Sequence, residues 1–218
     1  RIVYPYISSY MQKNRRKRSG FLGELEQQAR AADYPISNPE TSDLLEILCR
    51  IKRPEKILEI GTCIGFSALL MEDSSPAGVR IDTIERNPVM LAPAKENLKR
   101  YSKGGITIHE GNAVDLLPGF SEEYDMIFID GAKGQYPVFF RECRRLLKKD
   151  GILIADNVFF NGYAAEGLPD IRRNWTIVRR LNAYLAELEN DADFKTVILP
   201  ISDGVTLSYR MEKTENKA

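Results

Sequence analysis

The chain has 218 residues, enough to bury one sizeable α/β core and too few for two comfortable domains. Lys and Arg total 31 and Asp and Glu total 31, so net charge gives no global reason to expect a polyanionic partner. Cys49, Cys63 and Cys143 are widely spaced and form no C-x-x-C pair, which argues against a disulfide framework or structural zinc and fits a reducing cytoplasm. No apolar run approaches membrane-spanning length, and no charged start precedes an apolar signal core. The expected address is therefore cytoplasmic, without membrane attachment.

In chain order, residues 1–40 read as a polar helical extension of a single domain, interrupted by the basic run Lys13-Asn14-Arg15-Arg16-Lys17-Arg18. Pro39 and Thr41-Ser42-Asp43 suit a helix start, with an apolar stripe of Leu44, Leu45, Ile47, Leu48 and Ile51. Strand–helix alternation begins at Lys56. Short apolar runs at 57–60, 80–85, 106–110, 124–130 and 151–156 are separated by segments of helical length at 66–72, 88–101 and 137–147. That pattern predicts a mostly parallel sheet covered by helices on both faces. A further helix is expected over 175–188. The tail, 194–200 and 204–209, reads as two strands about a tight turn, antiparallel at the sheet edge.

In such sheets ligands bind beyond the carboxyl ends of the strands. The first strand runs into Glu59-Ile60-Gly61-Thr62-Cys63-Ile64-Gly65-Phe66-Ser67. Its glycines permit a tight turn and close approach to a ligand, while the next helix offers N-terminal amides. A packing requirement would explain the same glycines. Glu85 ends the second strand, eighteen residues after Ser67, and a carboxylate there can accept both hydroxyls of a ribose; the alternative is a surface pair with Arg86. Neither G-x-G-x-x-G nor G-x-x-x-x-G-K-[ST] is present, so the turn suits a nucleoside ligand without phosphates and disfavours a nicotinamide dehydrogenase.

Asp130 ends the fourth strand and Asp156-Asn157 the fifth. On adjacent parallel strands, two carboxylates and an amide form a hard oxygen set suited to Mg²⁺, Mn²⁺ or Ca²⁺ rather than zinc. Turn-capping would account for the same residue types. Lys133, three residues beyond Asp130, would yield its proton more readily beside a dication and so serve as a general base. Its plainer role is a loop charge or salt bridge.

These motifs resemble those of the cation-dependent O-methyltransferases, the group that contains catechol and caffeoyl-coenzyme A methyltransferases. The likeness runs from about Tyr34 to Arg210. It rests on Leu58 to Ser67, Ile84-Glu85-Arg86-Asn87 and Glu110-Gly111-Asn112-Ala113. It is most specific at Phe128-Ile129-Asp130-Gly131-Ala132-Lys133-Gly134-Gln135-Tyr136, Ala155-Asp156-Asn157-Val158 and the tail from Leu199 to Leu207. Gly131, where the family often has alanine, and Ser202, where it usually has glycine, depart from the pattern.

The resemblance implies a Rossmann-like class I methyltransferase with a seven-stranded sheet, S-adenosylmethionine as cofactor, and a divalent cation on Asp130, Asp156 and Asn157. Lys133 would be the base. Glu59 would be among the cofactor-binding residues, Gly61 and Ser67 would contact the cofactor's methionine portion and Glu85 its ribose. Asn112 and Ala113 would line the adenine, Asp130 would face the amino group, and Ser37 would cover the cofactor from above. A homodimer is expected.

Within the group, Gly134-Gln135-Tyr136 and the stretch from Asn157 to Gly167, followed by arginines from Arg172, are similar to bacterial enzymes that methylate 5-hydroxyuridine in tRNA. Two basic clusters, Arg15 to Arg18 and Arg172, Arg173, Arg179 and Arg180, could neutralise phosphates or be solvated helix faces. The acceptor is thus read as tRNA or as a small catechol-like molecule. A non-catalytic RNA- or nucleotide-binding protein on the same scaffold is the alternative from another class. His109 is read as structural, Cys63 as small packing, and Phe139, Phe140, Leu146 and Leu147 as core rather than pocket.

Overall fold

In the computed structural model, which describes residues 3–166 and 172–212, the apolar runs become a seven-stranded sheet. Its strands are β1 (Lys56–Ile60), β2 (Arg80–Glu85), β3 (Ile106–Glu110), β4 (Tyr124–Ile129), β5 (Leu147–Asp156), β6 (Phe194–Leu199) and β7 (Val205–Arg210). Their order is β3-β2-β1-β4-β5-β7-β6. All pairs among β1 to β5 are parallel, and β7 is antiparallel to both β5 and β6. β7 therefore runs against the other strands one place in from the edge, which β6 occupies.

The parallel strands are joined through α4 (Phe66–Ser74), α5 (Pro88–Tyr101), α6 (Ala113–Leu116) and α7 (Tyr136–Leu146). Helices α8 (Tyr163–Glu166) and α9 (Arg172–Asn190) lead from β5 to β6. Before the sheet come α1 (Pro5–Asn14), α2 (Gly20–Ala31) and α3 (Pro39–Lys52).

Strand alternation divides the core between the two faces of the sheet. On β4, Ile127 and Ile129 join Phe139, Phe140, Leu181 and Tyr184 of α7 and α9. Met126 and Phe128 point the other way, to Leu45, Leu48 and Cys49 of α3. Each fully buried aliphatic or aromatic side chain of this kind contributes about 1.5–3 kcal/mol. No helix of the described residues is long and apolar enough to cross a membrane.

Two sequence expectations need correction. Only part of the α3 stripe faces inward: Leu45 and Leu48 are buried, whereas Ile47 and Ile51 are 54% and 72% exposed. The basic run is also divided. Arg15 donates from Nε and Nη2 to the Asp43 carboxylate at 2.6 and 2.9 Å, and Arg18 reaches Asp43 at 2.5 Å and Glu26 at 3.2 Å. Glu26 also accepts from Arg30 at 3.0 Å. These arginines fasten the end of α1 to α2 and α3, leaving Lys13, Arg16 and Lys17 as the exposed cations of that run.

Candidate active site

Beyond the carboxyl ends of β1, β2, β4 and β5, where the strand order reverses, lies a cleft of about 500 Å³. One side is built by the first glycine turn. Gly61 has φ +112°, and a Cβ there would sit 2.4 Å from the Asp130 carbonyl oxygen, so only glycine lets the ends of β1 and β4 come this close. Gly65, at φ +83°, precedes α4, whose first turn brings Ser67 to the cleft.

Glu85 is buried at the end of β2. It makes no pair with Arg86: the Cys63 amide donates to Oε2 at 2.8 Å and the Asn87 amide to Oε1 at 2.7 Å. Each oxygen is fixed in direction while retaining accepting capacity for a ligand hydroxyl. Asn112 caps α6 by accepting from the Val114 amide, and it lines the cleft with Ala113. Ser37, in the segment before α3, covers the cleft and places Oγ 3.4 Å from Asp130 Oδ2.

Glu59 lies elsewhere. It is fully buried beneath the turn, one layer behind the residues that line the cleft. Its Oε2 accepts from Thr83 Oγ1 at 2.6 Å, and Thr83 Oγ1 lies 2.6 Å from Thr62 Oγ1. Burial pushes the Glu59 carboxyl up to about 7, with the Ser67 and Thr83 hydroxyls opposing that shift.

Asp130, Lys133, Asp156 and Asn157 form the other side. Lys133 Nζ donates to Asp130 Oδ1 at 2.8 Å. Asp156 is 1% exposed, and its Oδ1 accepts from the Asn157 amide at 2.7 Å. Burial and then the charge of Asp130 hold the Asp156 carboxyl well above the usual carboxylate range. Asn157 is left-handed at φ 58°, a conformation asparagine tolerates and one that recurs at functional sites. Among the described residues no three His, Cys, Asp or Glu side chains converge as a metal-binding group; the candidate oxygen set is two carboxylates and one amide.

Sequence reasoning missed Thr62, Phe66 and Met90, which also line the cleft. Met90 carries no motif, though its place in the first turn after the Glu85 strand end was a usable signal. Phe139 belongs to the core but also forms part of the cleft wall, which corrects its reading as core rather than pocket. His109 is structural: Nε2 lies 2.6 Å from Asp82 Oδ1, and its ring packs against Phe120. Arg180 donates to the Gly134 carbonyl at 2.8 Å. The side chains of Arg172 and Arg173, and Gly167 at the end of the tRNA-enzyme-like segment, lie outside the described residues.

Residues 17–211 match the O-methyltransferase family model. The chain belongs to the O-methyltransferase family. A catechol O-methyltransferase of Niastella koreensis is 34% identical over 130 residues, 57% of this chain and 59% of that protein's length. A caffeoyl-CoA O-methyltransferase of Stellaria longipes is 28% identical, over 82% of this chain and 79% of its own. A Podospora anserina methyltransferase solved with SAH bound superposes with a TM-score of 0.84 at 28% identity, covering 95% of this chain and 94% of that one. The fold and family of this O-methyltransferase are those of S-adenosylmethionine-dependent enzymes.

Proposed function

We propose that this O-methyltransferase moves the methyl group of S-adenosylmethionine to a hydroxyl oxygen on an acceptor bearing two adjacent oxygens, with a hard dication at Asp130, Asp156 and Asn157. One observation carries the reading: Lys133 and this oxygen set share a cleft with Gly61, Ser67 and Glu85.

Glu85 would accept the ribose hydroxyls and Ser67 would stand at the methionine end, while Ser37 and Asp130 close over the amino group. Lys133 takes the acceptor's proton. The oxygen then attacks the methyl carbon as the carbon–sulfur bond breaks and its electrons return to sulfur, so opposite charges cancel. Orientation of the two reactants alone is worth roughly 7–11 kcal/mol.

The donor set suits Mg²⁺, Mn²⁺ or Ca²⁺ in chemistry: all three ligands are hard oxygens, and Asp156 is held above its usual range by burial and then by the charge of Asp130, whose repulsion a cation would relieve. Such an ion, when bound, lowers the pKa of the acceptor hydroxyl and fixes its direction.

For the acceptor we put 5-hydroxyuridine in tRNA first, giving 5-methoxyuridine. Its support is the likeness at Gly134-Gln135-Tyr136 and from Asn157 onward, together with exposed cations at Arg16, Lys17 and Arg179. A small catechol-like or caffeoyl-CoA-like acceptor is the second reading. It is favoured by the relatives' activities and by the inward commitment of Arg15 and Arg18. We also infer a homodimer, because α1 buries none of its residues and, with its cap, exposes Tyr4, Tyr6 and Tyr10.

The test is labelled S-adenosylmethionine offered separately to catechols and to tRNA carrying 5-hydroxyuridine. Transfer to tRNA that is selectively weakened by reversing Arg172 and Arg173 to Glu supports the first acceptor. Transfer to catechols alone supports the second, and transfer to neither returns the chain to a binding role.

A further inference from the structure

Tyr136 opens α7 three residues beyond Lys133, and its ring is fully buried. Its hydroxyl donates to the Asp156 carbonyl at 2.7 Å and lies 3.4 Å from the Ile129 carbonyl. Those two carbonyls belong to the last residues of β5 and β4. The backbone pairing of the two strands ends at Ile129–Ala155. The hydroxyl therefore links the strands one step past the end of their ladder, where Asp130 and Asp156-Asn157 project.

The ring itself is well fixed. It stands edge-on to Tyr184 at 5.5 Å and 86°, and the Tyr184 hydroxyl is 2.9 Å from Thr206 Oγ1. Packing alone would be met by phenylalanine, so the oxygen needs a separate account. The peptide groups it touches carry Asp156 and join Ile129 to Asp130. A shift in either moves a carboxylate.

We propose that Tyr136 is a positioning residue that sets the separation of Asp130 from Asp156 and Asn157, and through it the geometry of the dication site. The inference rests on the metal reading above. It also connects that geometry to Lys133, because one short turn, Lys133–Gln135, carries the base into the residue that ties the strands.

The experiment is titration of Mn²⁺ into wild type, Tyr136→Phe and Tyr184→Phe, with free Mn²⁺ read by electron paramagnetic resonance. Cofactor affinity is measured alongside by calorimetry. Tyr136→Phe is expected to weaken Mn²⁺ binding by about 10-fold or more, as loss of groups that orient metal ligands typically does. Its cofactor affinity should hold, and its turnover on an accepted substrate should recover toward wild type as Mn²⁺ is raised. Tyr184→Phe, which deletes a neighbouring buried hydroxyl, should keep wild-type Mn²⁺ affinity. Unchanged Mn²⁺ affinity in Tyr136→Phe overturns the proposal, and so does an equal loss in both variants. Absence of Mn²⁺ binding by wild type overturns the metal reading first and this inference with it.

Discussion

Glu85 and Asp156 are both buried carboxylates at the ends of parallel strands, yet their surroundings oppose one another. Glu85 receives a backbone amide on each oxygen, from Cys63 and Asn87. Asp156 has one amide, from Asn157, with the Lys133 charge and the Thr41 hydroxyl also in its favour, but burial and the charge of Asp130 outweigh them. Backbone donors stabilise a buried negative charge without a counterion, whereas a like charge in a poorly solvated place destabilises it. The side of the cleft holding Glu85 is therefore electrically complete as folded. The side holding Asp156 is left with a repulsion that, on the function proposed above, a dication removes.

That contrast is sharpest under substitution of Lys133. Lys133→Ala should lower kcat by roughly 10²–10⁴, the usual contribution of a positioned base, while calorimetric affinity for S-adenosylmethionine stays at wild type. Lys133→Arg should not restore turnover, because a guanidinium does not give up its proton. Wild-type turnover in Lys133→Ala would remove the base from the account.

The converse variant acts on the other side. Glu85→Ala should weaken S-adenosylmethionine binding by roughly 10- to 100-fold, the range for lost hydrogen bonds to a charged group. Mn²⁺ affinity should not follow. Parallel losses of both ligands would mean that the two sides are not separable.

Gly61 lies where they meet, so Gly61→Ala is expected to damage both. The added Cβ would meet the Asp130 carbonyl at φ +112°, costing about 1–3 kcal/mol of stability, readable as a fall in Tm. Cofactor and metal affinity should decline together, and an unchanged Tm would show that the turn can relax.

The smallest expected effect concerns Glu59. Its carboxyl keeps its proton to about 7 in the folded chain against an ordinary 4.5, so the folded state binds more protons than the unfolded one in between. Stability should consequently fall as pH rises from about 4.5 to 7 and level off above. Asp156 adds a change of the same sign. Glu59→Gln should make the Tm–pH curve shallower over this interval without flattening it, and identical curves would contradict the burial argument.

The sequence disclosed this division unevenly. The parallel strands and most crossover helices follow from period and length; β2, β3 and α5 have the bounds their apolar runs suggest. β5 starts at Leu147, earlier than its apolar run, because Leu147 already pairs with Tyr124 across an irregular register. Strand-end position brought Glu85, Asp130, Asp156 and Asn157 to one cleft, since a parallel sheet presents all its carboxyl ends on one side.

What failed depended on partners far away in the chain. Nothing near Arg15 and Arg18 announces Asp43. Ile47 and Ile51 look like core in a linear stripe, but α3 has only one face against the sheet. Met90 reaches the cleft through helix placement alone.

The central claim, one side complete and the other completed by a cation, meets its most direct test in a single reaction mixture. Labelled S-adenosylmethionine and an accepted substrate are incubated with exhaustively chelated protein, and bound cofactor and transferred methyl are counted before and after Mg²⁺ is added. Cofactor should be bound throughout, with transfer absent until the cation is supplied. Full transfer in the chelated sample, or cofactor binding that itself requires Mg²⁺, would contradict the account.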